Sequence, residues 1–489
     1  MRRPLTGHTG RVGGNRGHTG FRGVVVLSGP AGKTETMTET AADPASSTPA
    51  RDGRAVRSQL PRSALGQLHL APDRDPIAIL EHQASTRVPE LVPIRYARMA
   101  AGHFPFLRGA PAIMAADLAA APNTGLTVQL CGDAHLSNFG VFASPERSLV
   151  FDLNDFDETL PGPFEWDVKR LVASIAVAAR ANGFGDDEAA AAARTAASAY
   201  RECMRRLAGH DSLDVWYEQV DADTLVELVD KPKRRRNVEK TLDAARRRTS
   251  LQALRKLTEP GRDGVPRIRH QPPLLTPVEQ ADADAVEEVF AAYRRTLPEE
   301  RRVLVNRYRI VDFARKVVGV GSVGTRCFVV LLVDRDTGGP LFLQVKEAEE
   351  SVLAPHLAPS VFRNHGHRVV HGQRLLQTSS DIFLGWITGP QDRHFYWRQL
   401  RDMKGSAEID NMSRAGLRQY AALCGHTLAR AHARSGDRVA IAAYLGSGDP
   451  FDRAMAAFAL AYADQTVSDH RALVAAIESG RVAAAANPY

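Results

Sequence analysis

The chain has 489 residues, of which 44% are hydrophobic and 24% are charged, as in globular proteins large enough for two lobes. No apolar stretch approaches the ~18 residues of a transmembrane helix, and the four cysteines stand far apart without a CxxC pair, so we expect a cytoplasmic protein without a membrane span. Much of the net charge of +7 lies near the N-terminus and in the basic run at residues 231–236. Because no aromatic residues interrupt that run, we expect no nucleic-acid partner.

The chain order predicts an arm followed by a helical lobe. Residues 1–60 are rich in Gly, Arg, Ser, Thr and Pro without a lasting hydrophobic period, which predicts a disordered N-terminal arm; Met37 would also make a plausible start. Residues 61–300 show mainly helical periods, interrupted by the strand-like runs LTVQLCGD and SLVFDLND. Short strands inside a helical lobe usually present a functional site.

The second half of the chain predicts a sheet and then more helices. Residues 301–405 contain alternating or continuous β-branched and aromatic runs, which predict an antiparallel, β-rich lobe with one helix near residues 368–377. Residues 406–489 return to helical periods and are expected to pack on the helical lobe. The predicted fold class is therefore α+β with two lobes.

The densest polar cluster follows the strand-like run LTVQL and reads Cys131-Gly-Asp-Ala-His-Leu-Ser-Asn138. Asp133 precedes Asn138 by five positions, the spacing of a kinase catalytic loop, in which the carboxylate accepts the proton of the substrate hydroxyl and the amide oxygen binds magnesium. His135 between them is interpreted as bracing the loop, since neutral imidazole is a poor magnesium ligand. The alternative is that Asp133 and Asn138 only cap turns.

Acidic residues follow the next strand-like run. Asp152 ends the run Leu149–Asp152, and Asp155 comes three residues later within a segment of several acids. Divalent cations such as Mg²⁺ prefer anionic oxygen ligands, so Asp152 is predicted to be the main metal ligand with Asn138, and Asp155 the second choice. The alternative is a solvated acidic loop.

A glycine-rich segment in the β-rich half predicts a nucleotide site. Gly319, Gly321, Ser322 and Gly324 lie between two strand-like runs, which favours a loop folded over phosphates rather than a dinucleotide-binding turn, whose last glycine would begin a helix. The alternative is a glycine-rich hairpin without a ligand. Lys346 lies in the next apolar run, where a buried lysine needs an anionic partner.

The sequence does not identify the anionic partner of Lys346. In kinases the corresponding lysine contacts the nucleotide α and β phosphates and pairs with a helix glutamate. Glu347, Glu349 and Glu350 lie nearby in sequence, but the following helix offers His367 and His371 instead of an acid.

Together these motifs resemble the protein-kinase-like superfamily, in particular its aminoglycoside and choline kinase branch. CGDAHLSN is similar to that branch's HGDxHxxN loop, although Cys131 replaces the usual first histidine, and LVFD is similar to its metal-binding strand. The segment Phe164-Glu-Trp-Asp167 resembles the helix whose aspartate braces the loop. The resemblance implies ATP and Mg²⁺ as cofactors.

The chain from about residue 60 to 475 also resembles a bacterial domain-of-unknown-function family, DUF2252, through CGDAHLSNFG, FDLNDFDE, VGVGSVGTRC, LFLQVKEA, SDIFLGW and RQLRDMKGS. In ordinary kinases the glycine loop and lysine precede the catalytic loop, whereas here they follow it. We therefore expect a circularly permuted kinase-like fold, which is also indicated by LCGHTLARAHARSGD, a segment similar to the helix that normally runs before a catalytic loop.

The expected function is an ATP- and magnesium-dependent phosphotransferase that acts on an unidentified hydroxyl acceptor, by phosphoryl or nucleotidyl transfer. Two alternatives remain. Asp133, His135, Asp152 and Asp155 would form the metal site of a phosphoesterase or nuclease, whose hydrolysis would survive Lys346→Ala. A catalytically idle scaffold would bind nucleotide without turnover that depends on Asp133.

Overall fold

Five short helices open the part of the chain that the computed structural model describes, which comprises residues 48–227, 232–261, 264–278, 283–317, 319–400 and 403–486. They are α1 (Thr48–Gln59), α2 (Pro76–Ala84), α3 (Val92–Ala100), α4 (His103–Gly109) and α5 (Pro111–Ala119). Helix α2 begins at Pro76 because the Asp75 side chain accepts hydrogen bonds from the main-chain N–H groups of Ile77 and Ala78. Helices α2 to α5 line one side of a large cavity.

Helix α1 lies where the composition predicted disorder. A Cβ added at Gly53 would lie 2.0 Å from the carbonyl oxygen of Ala440, and the Arg62 guanidinium donates to the carbonyl of Leu445. The prediction of a disordered arm is therefore wrong for residues 48–59, because their packing partner is a helix near the other end of the chain. Residues 1–47, including Met37, lie outside the described residues.

Two antiparallel strand pairs follow the opening helices. They are β1 (Thr127–Leu130) with β4 (Leu160–Pro163), and β2 (Phe139–Ala143) with β3 (Leu149–Leu153). All residues of β2 and β3 are buried, as the apolar runs require. The strands predicted within the helical region are thereby confirmed, and the turns after β1 and β3 carry the polar clusters.

The middle of the chain is helical, with three very short strands. The elements are α6 (Phe164–Ala181), α7 (Asp186–Leu207), α8 (Ser212–Tyr217), α9 (Ala222–Glu227), α10 (Pro232–Arg246), α11 (Ser250–Leu257), β5 (Thr258–Pro260), β6 (Pro266–Ile268), β7 (Leu275–Pro277), α12 (Ala283–Arg295) and α13 (Glu299–Val305). Tyr293 of α12 stacks on Trp397 with ring centroids 4.5 Å apart. Helix α12 thus packs on the sheet that follows, and the core of the β-rich part begins before the predicted boundary at residue 301.

A six-stranded antiparallel sheet dominates the β-rich part, as predicted. Its order is β11-β12-β10-β9-β8-β7, where the later strands are β8 (Tyr308–Lys316), β9 (Cys327–Asp334), β10 (Pro340–Glu347), β11 (Gly385–Thr388) and β12 (His394–Gln399). Helix α14 (His365–Leu376) interrupts the strands and packs on β11 and β12. Residues of β10 are almost all buried, so the strand that carries Lys346 lies in the interior of the sheet.

The C-terminal helices pack against the helical region. They are α15 (Arg414–Ala433), α16 (Arg438–Leu445) and α17 (Pro450–Glu478). Gly425 of α15 allows close contact with α7, since a Cβ there would lie 2.1 Å from the carbonyl oxygen of Ala196. Phe164, Tyr200 and Phe451 bring α6, α7 and α17 into one aromatic cluster. The architecture is a mixed α+β fold.

None of the helices in the described ranges is long and apolar enough to cross a membrane. The four cysteines are buried and none forms a disulfide.

Candidate active site

A cavity of about 820 Å³ lies between the helical region and the sheet. The turn after β1, the loop after β3, the glycine-rich segment and helix α2 all contribute to its wall. Of the predicted site residues, those that line it are Asp133, His135, Asn138, Asp155, Gly319, Gly321 and Ser322. The structure therefore brings together most of the residues singled out from two distant parts of the chain.

Asp167 of α6 stabilises the turn after β1. The Asp167 carboxylate accepts hydrogen bonds from the main-chain N–H groups of Cys131 at 2.7 Å and Gly132 at 3.1 Å, and it lies 3.2 Å from His432 Nε2. Gly132 has φ +86°, and a Cβ there would lie 2.3 Å from the carbonyl oxygen of Glu158. Only glycine fits at this position, and the bracing contact expected of Asp167 is present.

Asp133 presents its carboxylate to the cavity while Arg170 holds one of its oxygens. Arg170 Nε donates to Asp133 Oδ1 at 2.7 Å, and His135 Nε2 lies 3.6 Å from Asp133 Oδ2. His135 Nδ1 accepts a hydrogen bond from Ser137 N, so the neutral ring carries its proton on Nε2, toward Asp133. Burial lowers the pKa of His135 to about 4 despite the neighbouring Asp133 carboxylate. These contacts fit the interpretation of His135 as a loop brace.

Asn138 joins the turn after β1 to the acidic loop after β3, residues 154–158. Its Nδ2 donates to the carbonyls of Asp133 at 3.0 Å and Asp155 at 2.9 Å, and its Oδ1 accepts from Asp155 N at 2.7 Å. Asn138 is thus more than a turn cap, since it fixes the spacing of two carboxylates that both line the cavity. Its amide oxygen keeps one lone pair for a further contact.

Asp152, the first choice for a metal ligand, lies outside the cavity lining. Its side chain is fully buried, and Oδ1 accepts from Arg430 Nη2 at 2.5 Å. Oδ2 accepts from the main-chain N–H of Thr378 at 3.0 Å and from its hydroxyl at 3.2 Å. The predicted metal role is therefore not supported, because the Asp152 side chain is fully buried and lies outside the cavity lining, whereas Asp155 lines the cavity.

Lys346 pairs with the acidic loop rather than with a helix glutamate. Its Nζ donates to Asp155 Oδ1 at 3.1 Å and to Asp157 Oδ2 at 2.5 Å, and the Tyr396 hydroxyl donates to Asp157 Oδ1 at 2.6 Å. Burial alone would lower the pKa of Lys346, but Asp155 and Asp157 raise it well above its usual range. Conversely, burial would raise the pKa of Asp155, but Lys346 together with Arg398 and Lys404 lowers it to about 2. Lys346 and Asp155 are therefore charged at neutral pH.

Sequence reasoning did not assign Asp157, Tyr396 or Arg368 to the site. Tyr396 stands opposite Lys346 in the register of β10 and β12, which a correct strand alignment would have indicated. Arg368 of α14 occupies the place where a glutamate was sought, and it donates to the carbonyls of Thr159, Asp157 and Glu349. Arg368 thereby stabilises the acidic loop by binding the main-chain carbonyl of Asp157.

His367, by contrast, stacks on Trp386 with ring centroids 3.9 Å apart. His371 lies against Phe362 at 4.7 Å, so both histidines serve the packing of α14.

The glycine-rich segment joins β8 to β9 and is held by arginines from the opening helices. Arg87 Nη1 donates to the carbonyls of Gly321, at 2.8 Å, and Val323, and Arg98 Nη1 donates to that of Gly319 at 2.7 Å. Gly319 has φ +64°, and Gly324, at φ +95°, packs against the Arg87 side chain instead of lining the cavity. The strand–turn–strand prediction is confirmed, since β9 and not a helix follows the glycines.

Glu158 is a further carboxylate on the cavity wall. Its Oε2 accepts from Val352 N at 2.8 Å, and burial, with the nearby Asp157 and Asp133 carboxylates, raises its pKa to about 7. The side chain therefore exchanges its proton near neutral pH.

Hard oxygen donors converge on the cavity from Asp133, Asn138, Asp155 and Asp157, a donor set that suits Mg²⁺ better than a transition metal. Among the described residues, the three-ligand group with atoms within 4.8 Å of one another lies elsewhere and comprises Cys203, Glu218 and His426. There the Arg206 guanidinium already donates to Glu218 and Cys203.

The chain is thus a mixed α+β protein in which a buried lysine of the sheet pairs with an acidic loop that lines the cavity, although Lys346 itself is not among the lining residues. Over residues 87–476 it matches the family described as "Uncharacterized protein conserved in bacteria (DUF2252)", and it belongs to that family. No curated protein and no solved structure matched the chain.

Proposed function

We propose that this protein is an ATP- and magnesium-dependent phosphotransferase with a circularly permuted, kinase-like arrangement, which acts on a hydroxyl acceptor. The observation that carries the proposal is the contact between Lys346 on β10 and the Asp155–Asp157 loop, which Asn138 ties to Asp133. A lysine, metal-binding oxygens and a candidate base are the parts that phosphoryl transfer requires of a kinase-like site.

The order of elements in the sheet supports a nucleotide-binding lobe. A glycine-rich turn lies between β8 and β9, the lysine strand β10 follows, and α14 precedes β11 and β12. This order resembles that of the nucleotide lobe of protein-kinase-like enzymes. The segment after β12 then pairs with the helical region, since Gly405 and Val141 exchange main-chain hydrogen bonds.

Contacts of α15 support the permuted order. Ser435, just beyond the end of α15, accepts a hydrogen bond from Gln129 N of β1 at 3.1 Å, and Tyr420 donates to the carbonyls of Leu136 and Phe139. A helix that follows the sheet in sequence thus ends beside β1, which leads into the turn that carries Asp133. Joining those two points in one chain would give the order of an ordinary kinase.

Each group in the cavity has a role under this proposal. Asp155 and Asp157, with the amide oxygen of Asn138, would hold Mg²⁺, which when bound neutralises the charge that develops on the transferred group. Lys346 would steady the nucleotide phosphates beneath the glycine-rich segment. Asp133 would orient the acceptor hydroxyl or accept its proton, and the ion pair with Arg170 holds the position of that carboxylate.

The burial of Asp152 weighs against the hydrolase alternative, because it removes one of the four metal ligands on which that alternative was based. The idle-scaffold alternative predicts nucleotide binding without turnover that depends on Asp133. The two alternatives therefore differ from the proposal in what Lys346 and Asp133 variants should do.

Thermal unfolding with and without Mg-ATP tests the proposal. For ligand at ~100 times its dissociation constant, we expect about 2.7 kcal/mol of stabilisation in the wild type and little in Asp155→Ala or Lys346→Ala. Asp464→Ala, which removes a 73% exposed acid paired with Arg180, is the matched control and should respond like the wild type.

Three results would contradict the proposal or redirect it. No response to Mg-ATP in the wild type refutes nucleotide binding. Metal-dependent hydrolysis that survives Lys346→Ala supports the hydrolase alternative. Nucleotide binding with ATP turnover that is unchanged in Asp133→Asn supports the scaffold.

A further inference from the structure

Two buried arginines line the end of the cavity that α2, α3 and the glycine-rich segment form. Arg95 is 0% exposed and Arg87 is 9% exposed. Gln83 and Thr86 line the same part of the wall and add polar groups. This cluster of Arg87 and Arg95 lies apart from the Lys346 pair.

Neither guanidinium has a carboxylate partner. Arg95 Nη2 donates to Gln83 Oε1 at 3.0 Å and to the carbonyl of Gly109 at 2.8 Å, whereas its Nε and Nη1 are buried without a hydrogen-bond partner. Arg87 uses Nη1 for the carbonyls of the glycine-rich segment, and its Nε is likewise unsatisfied. Across the described ranges, no Asp or Glu oxygen lies within ion-pair distance of either side chain. Glu349, Glu158 and Asp157 act on Arg87 from farther away.

Two other buried arginines of this chain pair with a carboxylate, whereas Arg368 also binds main-chain carbonyls alone. Arg201 binds Asp452 through three hydrogen bonds, and Arg430 binds Asp152. A buried guanidinium stays protonated, and burying its charge without a counter-ion is costly. Burial accordingly lowers the pKa of Arg95 well below its usual range. An anion in the cavity would supply the counter-charge and occupy the unsatisfied N–H groups.

The contacts of α4 place Arg95 on the acceptor side, whereas Arg87 binds the carbonyls of the glycine-rich segment. Arg95 binds the carbonyl of Gly109 at the end of α4, while Arg170, which holds Asp133, binds the carbonyl of Leu107 in the same helix. Arg95 is thereby linked through one short helix to the candidate base, and not to Lys346. The cavity volume of about 820 Å³ lies in the upper part of the ~300–1,000 Å³ range of ligand sites, which leaves room for a nucleotide and a small acceptor.

We propose that Arg87 and Arg95 bind an anionic group, a phosphate or a carboxylate, of the acceptor substrate. This inference rests on the proposed phosphotransferase function, and it narrows the acceptor to an anionic small molecule that also carries a hydroxyl. A guanidinium suits such a group because its planar N–H donors match two oxygens at once.

Binding of inorganic phosphate, with sodium acetate as the carboxylate probe, tests the inference at constant ionic strength. Phosphate or acetate should stabilise the wild type in thermal unfolding, and the response should persist when Mg-ADP is saturating. In Arg95→Gln the affinity for the responding anion should fall at least about tenfold. The variant should fold, because it removes a buried charge that lacks a partner. Arg87→Lys keeps the charge but loses the planar set of guanidinium N–H donors, and it should bind the anion more weakly than the wild type.

The matched control is Arg438→Gln, which removes an arginine that also binds main-chain carbonyls, those of Leu207 and His210, but lies outside the cavity. It should keep the wild-type response. An absent response to both anions in the wild type, or an equal response in Arg95→Gln, overturns the inference.

Loss of the Mg-ADP response in Arg95→Gln, together with competition between ADP and phosphate, would assign the arginines to the nucleotide and also overturn the inference. An Arg95-dependent response to phosphate in a protein that never responds to Mg-ATP would instead overturn the phosphotransferase proposal and leave the anion site standing.

Discussion

Replacing Lys346 with methionine should lower the free energy of unfolding, because Asp155 and Asp157 lose their cationic partner. Lys346 Nζ lies 3.1 Å from Asp155 Oδ1 and 2.5 Å from Asp157 Oδ2, and the lysine side chain is only 2% exposed. Removing one member of a buried ion pair typically costs ~3–5 kcal/mol, because the remaining charge stays without a partner. Asp155 keeps 41% of its side-chain exposure, so solvent screens part of this cost and we expect about 3 kcal/mol.

The cost should depend on pH in a defined direction. In the wild type Lys346 helps to lower the pKa of Asp155 to about 2, so the pair stabilises the folded state above the ordinary aspartate pKa and loses this contribution as pH falls toward 2. The difference between wild type and Lys346→Met should therefore be largest at neutral pH and shrink below pH ~4.

Urea unfolding at pH 7 and at low pH measures this difference, and Asp155→Asn in the Lys346→Met background should recover part of the loss. Lys169→Met is the matched control, because Lys169 is also buried but lies over the Phe458 ring, 4.7 Å from its centroid, and no carboxylate in the described part of the chain is within ion-pair distance. A loss in Lys346→Met that is below ~1 kcal/mol, or that does not change with pH, would refute the reasoning.

Three further predictions follow from single contacts. Gly132→Ala should lower the free energy of unfolding by ~1–3 kcal/mol in urea titrations, because φ is +86° and the Cβ would meet the Glu158 carbonyl at 2.3 Å; unchanged stability would contradict the tight approach. Burial raises the pKa of Glu158 from 4.5 to about 7, so the folded state holds the proton more tightly than the unfolded state. The free energy of unfolding of the wild type, relative to that of Glu158→Gln, should therefore fall by up to about 3 kcal/mol as pH rises from about 4.5 to 7. Parallel curves of stability against pH for the two proteins would contradict this. Asp152→Ala should cost ~3–5 kcal/mol because Arg430 loses its buried partner, yet the folded variant should keep the Mg-ATP response that Asp155→Ala loses; the opposite pattern would restore Asp152 as a metal ligand.

Local sequence patterns were sufficient for the elements that carry the site. The apolar run LFLQVKEA predicted a strand around Lys346, and β10 spans Pro340–Glu347. The β-branched residues after Gly324 predicted a strand instead of a helix, and β9 begins at Cys327. Both features depend on neighbours within a few residues, which is the range over which hydrophobic alternation and glycine conformations act.

The choice between acidic residues depended on contacts that no local pattern contains. Asp152 and Asp155 are three positions apart in a run of acids, and either could have faced the cavity. Asp152 turns away because Arg430 of α15, 278 residues later, meets its carboxylate in the interior. Asp155 lines the cavity, and its partner Lys346 comes 191 residues later in the sequence. Helix α1 is a similar case, since its packing partner lies near Ala440.

These long-range pairs also explain why the motifs could be recognised without their partners. Each motif is a short segment that can be identified from its own residues. The long-range pairs, in contrast, join segments that are far apart in sequence but adjacent in the folded chain. Lys346 lies beyond the turn after β1 in sequence, and α15 lies beyond both. Nevertheless, Asn138, Asp155 and Lys346 form one connected set of hydrogen bonds. A permuted chain order leaves such a set intact, because electrostatic and hydrogen-bonding energies depend on distance in the folded state and not on separation in sequence.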